Sequence, residues 1–428
     1  MGSKNEKKVI WFLNQNSYLP EDGPHIRHYT FGKYLTALRY EPFVFAANEL
    51  HHNGRRIDTK GQSYIEKNRD GVHFLYIKTV HYEKNDIHRI LNIVSYYRAV
   101  FKVAKEIESK YGKPDIIYAS MMYPTALSAG IKLARKYGVK CICESRDLIP
   151  EGFVTKGTFK KDGILAYILS EYMKRIYYKA DALVFTMEGG KQYLIDHHWD
   201  KGHGGKIDMS KVYYINNGVD LAVSNENAEK YVLDDEDLDD ESVFKVVYFG
   251  AIRFMNQMPL FIETAECLKK HGYHNIKILM WGNGTKLEEM RNKLLELELY
   301  NIKLKGYVDK KYIPGIAKRA DMFIATGNSC IVGKYGMSFN KLFDYLAGGK
   351  PIILPFKVEN SIVEKNGAGV ELENASGKII AEELARFSLM DKEKYYRYCS
   401  NSLKLAAKFD YAVLTKKVEA IVNDLGSV

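Results

Sequence analysis

Residues 333–355, GKYGMSFNKLFDYLAGGKPIILP, carry a chemically suggestive pattern. The stretch opens with small residues and runs into a helical segment bearing Asn340, Lys341 and one inward carboxylate, Asp344. It closes on Gly349-Lys350-Pro351 and an apolar run. A loop rich in glycine, serine and asparagine at a helix N-terminus offers an anion free backbone N–H groups and the positive end of the helix dipole. Asp344 falls one turn beyond Asn340, so both can face one pocket. A carboxylate about a turn below a phosphate cradle suits a ribose diol, which brings two O–H donors to one acceptor pair. The combination points to a nucleotide carrying a diphosphate.

In open parallel sheets ligands bind beyond the C-terminal ends of the strands, so the residues after each apolar run are the next candidates. In the second half these are Gly250-Ala251-Ile252-Arg253 with Asn256, Gly282-Asn283-Gly284, Gly306-Tyr307-Val308, and the loop from Thr326 through Ser338 to Asn340. A glycine at such a place lets a phosphate or a ring approach the backbone, although each one alone is also compatible with a simple turn. In the first half, Gly23 precedes Arg27 and His28 at the start of a helical pattern, where an arginine can hold a phosphate. Glu144-Ser145-Arg146-Asp147 sets three charges at the end of an apolar strand. That is costly unless they are paired or functional, and a structural Arg–Asp pair is the plainer reading.

The elements that must position these residues alternate. Strands are expected at 9–15, 42–47, 72–78, 115–120, 139–145, 181–187 and 211–220, with helical patterns at 28–40 and about 124–137. The pattern restarts with strands at 244–250, 276–282, 302–308, 322–326 and 351–356, separated by helices at 257–271, 286–298, 311–319 and 339–347. It ends in helices at about 381–388 and 393–424. Short apolar runs separated by helical segments predict α/β architecture with doubly wound parallel sheets, repeated as two Rossmann-like halves. The expected division is residues 1–222 and 244–407, joined by 223–243. That joining stretch contains DDEDLDDE and reads as a solvated acidic linker.

At 428 residues each half can bury its own core. The five cysteines are scattered without a CxxC pair, which argues against disulfides and zinc, and no DxD-type pair sits on a suitable loop for a divalent ion. No run is long and apolar enough to span a membrane and no signal-peptide core is evident, so a cytoplasmic location is expected. Residues 1–220 hold 34 Lys and Arg against 24 Asp and Glu, a net +10, whereas residues 221–428 hold 29 of each. A basic half draws phosphates, anionic lipid or nucleic acid, and no nucleic-acid module is recognisable. Residues 81–105 and 160–179 interleave aromatic and basic residues at helical spacing. They fit either ordinary amphipathic helices on a sheet or helices lying on a membrane surface. The first strand leads into NQNSYLPEDG rather than GxGxxG, which excludes a dinucleotide-dependent dehydrogenase.

Several segments together resemble glycosyltransferase family 4, the retaining enzymes of GT-B fold. NQNSYLPEDGPHIRHYTFGKYL is similar to that family's acceptor-side loop, through Gly23, Arg27, His28 and Tyr29. CESRDLIPE is similar to its E-x-R-D-L-x-P-E segment, YYINNGVD to its I-x-N-G-V-D segment, and YFGAIRFMNQM to its phosphate loop. SFNKLFDYLAGGKPI resembles the subgroup reading S-P-N-K-L-F-D-Y, the fucosaminyltransferase-like enzymes of O-antigen and capsule synthesis. The resemblance implies two Rossmann-like domains facing across a cleft, with a C-terminal helix at about 408–428 crossing back to the first. It implies a hexosyltransferase moving a sugar from a nucleotide-diphosphate donor, UDP linked to an N-acetylated or deoxy hexose. The acceptor would be lipid-linked or a saccharide, and no metal or other cofactor would be needed. Arg253, Asn256, Lys341, Arg146 and Asp147 would serve catalysis. Gly250, Gly282, Gly284, Tyr307, Val308, Ser338, Asn340 and Asp344 would hold the donor, and Gly23, Arg27, His28 and Glu144 the acceptor. The first of the family's two glutamates falls on Gly336, and the usual Arg/Lys pair is reduced to Arg253 with Asn256 near the lysine position. The missing carboxylate leaves open a non-catalytic sugar-nucleotide-binding subunit of a membrane complex.

Overall fold

The structure, a computed structural model, describes residues 7–50, 54–83, 86–155, 157–253, 257–327 and 331–426. The chain forms two compact units, one of residues 1–216 with 411–428 and one of residues 217–410.

The first unit contains β1 (Lys8–Leu13), β2 (Tyr40–Ala47), the short pair β3 (Glu49–Leu50) and β4 (Arg55–Arg56), β5 (Tyr64–Arg69), β6 (Val72–Ile77), β7 (Ile116–Met121), β8 (Lys140–Ser145), β9 (Ala182–Phe185) and β10 (Val212–Tyr214). Eight of them make one sheet in the order β10-β9-β8-β7-β1-β2-β6-β5, parallel except for the edge strand β5, which pairs antiparallel with β6. The central strands are buried on both faces, which is why they read as continuous apolar runs rather than alternating ones. The steps β6→β7, β7→β8 and β8→β9 all travel the same way along the sheet. Right-handed crossovers therefore put the helices Ile87–Tyr111, Pro124–Tyr137 and Ile164–Tyr177 on one face. The step β1→β2 travels the other way, and its helix Arg27–Ala37 packs on the opposite face with Tyr411–Gly426.

The second unit contains β11 (Phe244–Phe249), β12 (Ile276–Trp281), β13 (Ile302–Gly306), β14 (Met322–Ile324), β15 (Ile352–Leu354) and β16 (Gly369–Glu371). They pair in parallel, in the order β13-β12-β11-β14-β15-β16. Its core gathers Tyr248, Phe261, Met280, Ile324 and Leu384 from the sheet and from the helices Met258–Lys270 and Gly377–Ser388.

The structure departs from the sequence expectations where packing outweighs local pattern. The stretch 223–243 is not a bare linker. It carries most of the helix Leu221–Lys230 and the turn Glu236–Asp239, and its acids clamp the second unit: Asp237 and Asp240 bind Lys277, and Asp235 and Asp237 bind Lys305. The expected helix 393–424 is two, Lys392–Lys408 and Tyr411–Gly426. The break lies where Phe409 packs on Phe343 of the second unit while Tyr411 packs on Phe31 of the first. The strand expected at 211–220 shortens to Val212–Tyr214, and β5 and β16 were not anticipated because neither carries a distinct apolar run.

Gly282 and Gly284 have a packing reason to be glycine. The strand-end loops of β11, β12 and β13 are laced together, with Gly250 N donating to Trp281 O, Ile252 N to Asn283 O and Gly282 N to Gly306 O. A Cβ at Gly282 would stand 1.8 Å from Gly250 O, and one at Gly284 would stand 2.2 Å from Ile252 O. Gly282→Ala should destabilise the second unit by about 3 kcal/mol, because the backbone has no flexible end to give way. Thermal melting of the intact chain measures this, and an unchanged transition would mean the laced loops do not hold together in solution.

Candidate functional site

Each sheet has one place where the strand order reverses: between β1 and β7 in the first unit, and between β11 and β14 in the second. Loops leaving the C-terminal ends of such a pair diverge and leave a crevice.

In the second unit, the loop after β11 carries Arg253 and the segment after β14 leads into the helix Asn340–Gly348. Tyr345 anchors that helix to both strands. Its hydroxyl accepts from Phe249 N at 2.9 Å and lies 3.3 Å from Ile324 O, while its ring stacks on Phe323 at 4.4 Å. One turn earlier, Lys341 extends across the Tyr248 ring, its Nζ 4.7 Å from the ring centre, and donates to Thr326 O at 3.1 Å. It has no carboxylate partner among the described residues, and burial pushes its pKa down to about 7. Asp344 shares the helix. Burial raises its pKa, with Lys310 opposing the shift, and nothing among the described residues donates a hydrogen bond to it. Arg253 stands exposed and unpaired among the described residues. The helix is entered from Phe339 without a side-chain cap; Leu342 N donates to Phe339 O at 3.1 Å, and the N–H groups of Asn340 and Lys341 are left to solvent or to a ligand. Ser338, also entering this helix, accepts from Asn217 Nδ2 through its carbonyl at 2.9 Å. Asn340 is exposed. This end of the sheet therefore holds two basic groups and a carboxyl group that have no ionic partners among the described residues, beside an uncapped helix start. It can take an anion and a diol.

The remaining donor-side residues are less closely grouped. Asn256 lies outside the described residues. Gly250 follows β11 directly, and Gly282 and Gly284 follow β12, where backbone packing already accounts for them. Tyr307 and Val308 follow the edge strand β13, two strands from the crevice, and Tyr307 is 77% exposed. Gly336, aligned with the family's first glutamate, has φ +101°, a backbone that disfavours any residue bearing a side chain.

In the first unit, Arg27, His28 and Glu144, the residues expected to meet the acceptor, are buried and paired with one another. Glu144 Oε1 accepts from Arg27 Nη2 at 2.7 Å, Arg27 Nε at 3.0 Å and the Tyr118 hydroxyl at 2.8 Å. Its Oε2 accepts from Ser120 Oγ at 2.6 Å and faces His28 Nε2 at 3.2 Å. Arg27 also donates to the carbonyls of Asn216 and Ile215 at 2.7 and 2.9 Å. Asn16 N donates to Asn14 Oδ1, which turns the Asn14 amide nitrogen toward His28 Nδ1 at 3.0 Å, so the His28 proton belongs on Nε2 and points at Glu144. Burial alone would raise the Glu144 pKa, but Arg27, His28 and Arg146 hold it well below the usual carboxylate range. Burial keeps His28 neutral by lowering its pKa. These residues tie the loops after β1 and β8 to one another. Arg146 is half-buried with its Nε unpartnered, and Asp147 is exposed, so these two are what the segment after β8 offers to a ligand. Gly23 sits in the turn after β1, where its N–H donates to Leu19 O.

Sequence reasoning missed Tyr118, Ser120, Asn14 and Tyr345. Each reads as one more strand or helix residue, and only the partner contributed by another element marks it out.

Two mostly parallel Rossmann-like sheets, each with helices packed about it, and a terminal helix that returns to the first unit define the GT-B class of protein. The model for Glycosyltransferase Family 4 matches residues 23–223, and that for Glycosyl transferases group 1 matches residues 233–404. The chain is thus an enzyme, a GT-B glycosyltransferase of the family 4 type. Among solved structures it is similar to HepE of Anabaena in complex with UDP, with a TM-score of 0.64 and 14% identity over 98% of this chain and 100% of that one. It is similar to sucrose-phosphate synthase of Thermosynechococcus elongatus, with a TM-score of 0.68 and 14% identity over 98% and 100%. It is also similar to the E. coli trehalose-6-phosphate protein bound with UDP-2-fluoro glucose, with a TM-score of 0.70 and 12% identity over 99% of each chain. No curated protein sequence matches the chain.

The buried groups are testable by mutation and by pH. Glu144→Gln should cost about 3–5 kcal/mol in denaturant unfolding, since it strands the Arg27 charge in the interior. In the native protein both depressed groups lose stability on acidification. The His28 contribution is present above its free value of 6.5 and falls as pH drops through its lower folded value, and that of Glu144 falls only at pH below 4.5. A stability profile flat from neutral down to pH 4 would contradict this. Lys341 has the opposite consequence: its folded value near 7 lies below its free value of 10.5, so stability should rise with pH across that interval. Lys341→Met should remove that rise and make the nucleotide-free protein more stable at neutral pH. A lower melting temperature for Lys341→Met would show that the ammonium is paired in solution.

Proposed function

We propose that this glycosyltransferase takes its sugar from a nucleotide-diphosphate donor held by the second unit at the crevice between β11 and β14. The observation that carries the reading is the unpaired set Arg253, Lys341 and Asp344 beside an uncapped helix start. A diphosphate would satisfy the two cations and the helix N–H groups, and a ribose diol would donate to Asp344. UDP is the proposed nucleotide, supported by its presence in the HepE and E. coli structures. The proposed sugar is an N-acetylated or deoxy hexose and the acceptor a lipid-linked or free saccharide of cell-surface polysaccharide synthesis, as the resemblance to the fucosaminyltransferase-like subgroup implies. The enzyme would work in the cytoplasm or peripherally on the inner membrane face.

As the glycosidic bond breaks, negative charge gathers on the leaving diphosphate. Groups already aimed at that position stabilise the transition state more than the bound donor. Arg253 and the first turn of the helix Asn340–Gly348 supply that charge, and Lys341 regains its proton as the anion arrives. Arg146 and Asp147 are the proposed acceptor contacts, and transfer is proposed to retain configuration and to need no metal.

Calorimetry with UDP tests the donor site. Asp344→Ala should weaken binding by about 1.5–3 kcal/mol, the range for hydrogen bonds to a charged group. Arg253→Ala should reduce turnover more than donor binding, with Arg253→Lys a partial rescue because lysine lacks the bidentate fork. Turnover of a UDP-sugar should persist in excess EDTA. Wild-type UDP affinity in Asp344→Ala would remove this site from the reading.

A further inference from the structure

The first unit exposes apolar surface that its fold does not use. The helix Ile87–Tyr111 buries Asn92, Tyr96, Val100, Val103 and Ile107 against the sheet. Its first two turns carry a second stripe, with Ile87 59%, Ile90 56% and Leu91 46% exposed, continued by Val94. Those positions have the i, i+3, i+4, i+7 spacing of a helix face, here turned away from the core. The helix Ile164–Tyr177 repeats the arrangement. It buries Ala166, Met173 and Ile176 while Ile164 at 75%, Leu165 at 55% and Ile168 at 55% stand in solvent.

These two stripes belong to one face of the molecule. Both helices lie on the same side of the first sheet, and both begin at its C-terminal edge. The helix Pro124–Tyr137 sits between them and is tied to each. Ser128 Oγ lies 2.7 Å from the Tyr172 hydroxyl, and Lys132 Nζ donates to the Tyr97 hydroxyl at 2.7 Å. Elsewhere among the described residues, large exposed apolar side chains are scattered along the chain, as on any soluble protein.

The charge around the stripes is basic. Residues 160–179 hold five lysines and arginines against two acids, and residues 86–102 hold three against one. Lys160, Lys161 and Arg175 beside one stripe and Arg98 beyond the other are exposed. Tyr167, 67% exposed, and Tyr172 add the amphipathic rings that settle at a membrane–water boundary. No described helix is long and apolar enough to cross a bilayer, so a surface of this kind can only lie on one.

We propose that the first turns of the helices Ile87–Tyr111 and Ile164–Tyr177 together form a docking face for an anionic lipid bilayer. The isoleucines and leucines enter the headgroup–acyl boundary while the flanking lysines and arginines meet lipid phosphates. Two separated apolar stripes with a basic margin fit a flat anionic surface better than a single groove-bound peptide, which would need one continuous channel. This deepens the reading of a lipid-linked acceptor and rests on it, because docking would bring the strand-end loops of the first unit toward lipid headgroups.

The test is co-sedimentation of the intact protein with vesicles of phosphatidylcholine alone and of equal parts phosphatidylcholine and phosphatidylglycerol, at low and high salt. The wild type should bind the mixed vesicles, bind phosphatidylcholine weakly, and lose binding as salt rises. The double variants Ile164→Asp/Ile168→Asp and Ile87→Asp/Leu91→Asp should each lower partitioning at least about tenfold, by removing apolar insertion and adding like charge to the lipid. Both alter exposed side chains, so melting temperature and UDP affinity should stay at wild-type values. This separates failure of the docking face from failure of the donor site. Absence of vesicle binding by the wild type, or binding that neither double variant reduces, would overturn the proposal. So would a self-association of the wild type that both variants abolish, which would give this face to a second copy of the chain.

Discussion

The placement of the helix Asn340–Gly348 is the constraint on which the crevice of the second unit depends. A helix packed on the end of a parallel sheet can slide unless something fixes it along its axis, and here a single phenol does so. The Tyr345 hydroxyl meets the backbone of β11 and β14 at the point where their loops part, and its ring is held flat against Phe323. Because Lys341 lies one turn away on the same side, its ammonium is carried over Tyr248 and meets no carboxylate among the described residues. The lowered Lys341 pKa and the raised Asp344 pKa share one cause, removal from water without compensation. Such groups are destabilising in the empty protein and rewarding to a ligand that neutralises them, as expected of a site shaped for binding rather than for stability.

The first unit handles buried charge in the opposite way. Glu144 is as enclosed as any apolar residue, yet each of its oxygens is met by donors from other elements, and Arg27 passes its remaining contacts to two backbone carbonyls. Paired this fully, the cluster ties the ends of β1, β7 and β8 and the start of the helix Arg27–Ala37 to the segment after β10. At these strand ends the first unit pairs its buried ionic groups with one another, whereas the second, which pairs acids and lysines elsewhere, leaves Arg253, Lys341 and Asp344 without ionic partners among the described residues. That contrast separates the scaffolding residues from the candidate binding residues more sharply than residue type does.

Much of the architecture was legible because it depends on local pattern. Apolar runs such as VIWFL and KVVYF can only be buried parallel strands when helical segments separate them, and two such series predict two doubly wound sheets. The helix start at Asn340 was equally legible, since a small-residue loop entering a helix presents backbone donors in any fold. The acidic block at 234–241 was misread because charge alone cannot tell a solvated linker from one whose partners, Lys277 and Lys305, arrive from strands far along the chain.

What the sequence determined by itself was the class of fold, the order of its strands along the chain, and the residue types available at their ends, because each depends on neighbours within a turn or a strand. What only the tertiary structure decided was which of those residues are free. Arg27 and Arg253 look alike as single arginines after a strand. One is extinguished by Glu144, 117 residues away, and the other is left exposed. Likewise, the apolar stripes at 87–94 and 164–168 could have been core. They became surface because the sheet beneath them was already covered by the opposite faces of the same helices, a choice made by packing over long range.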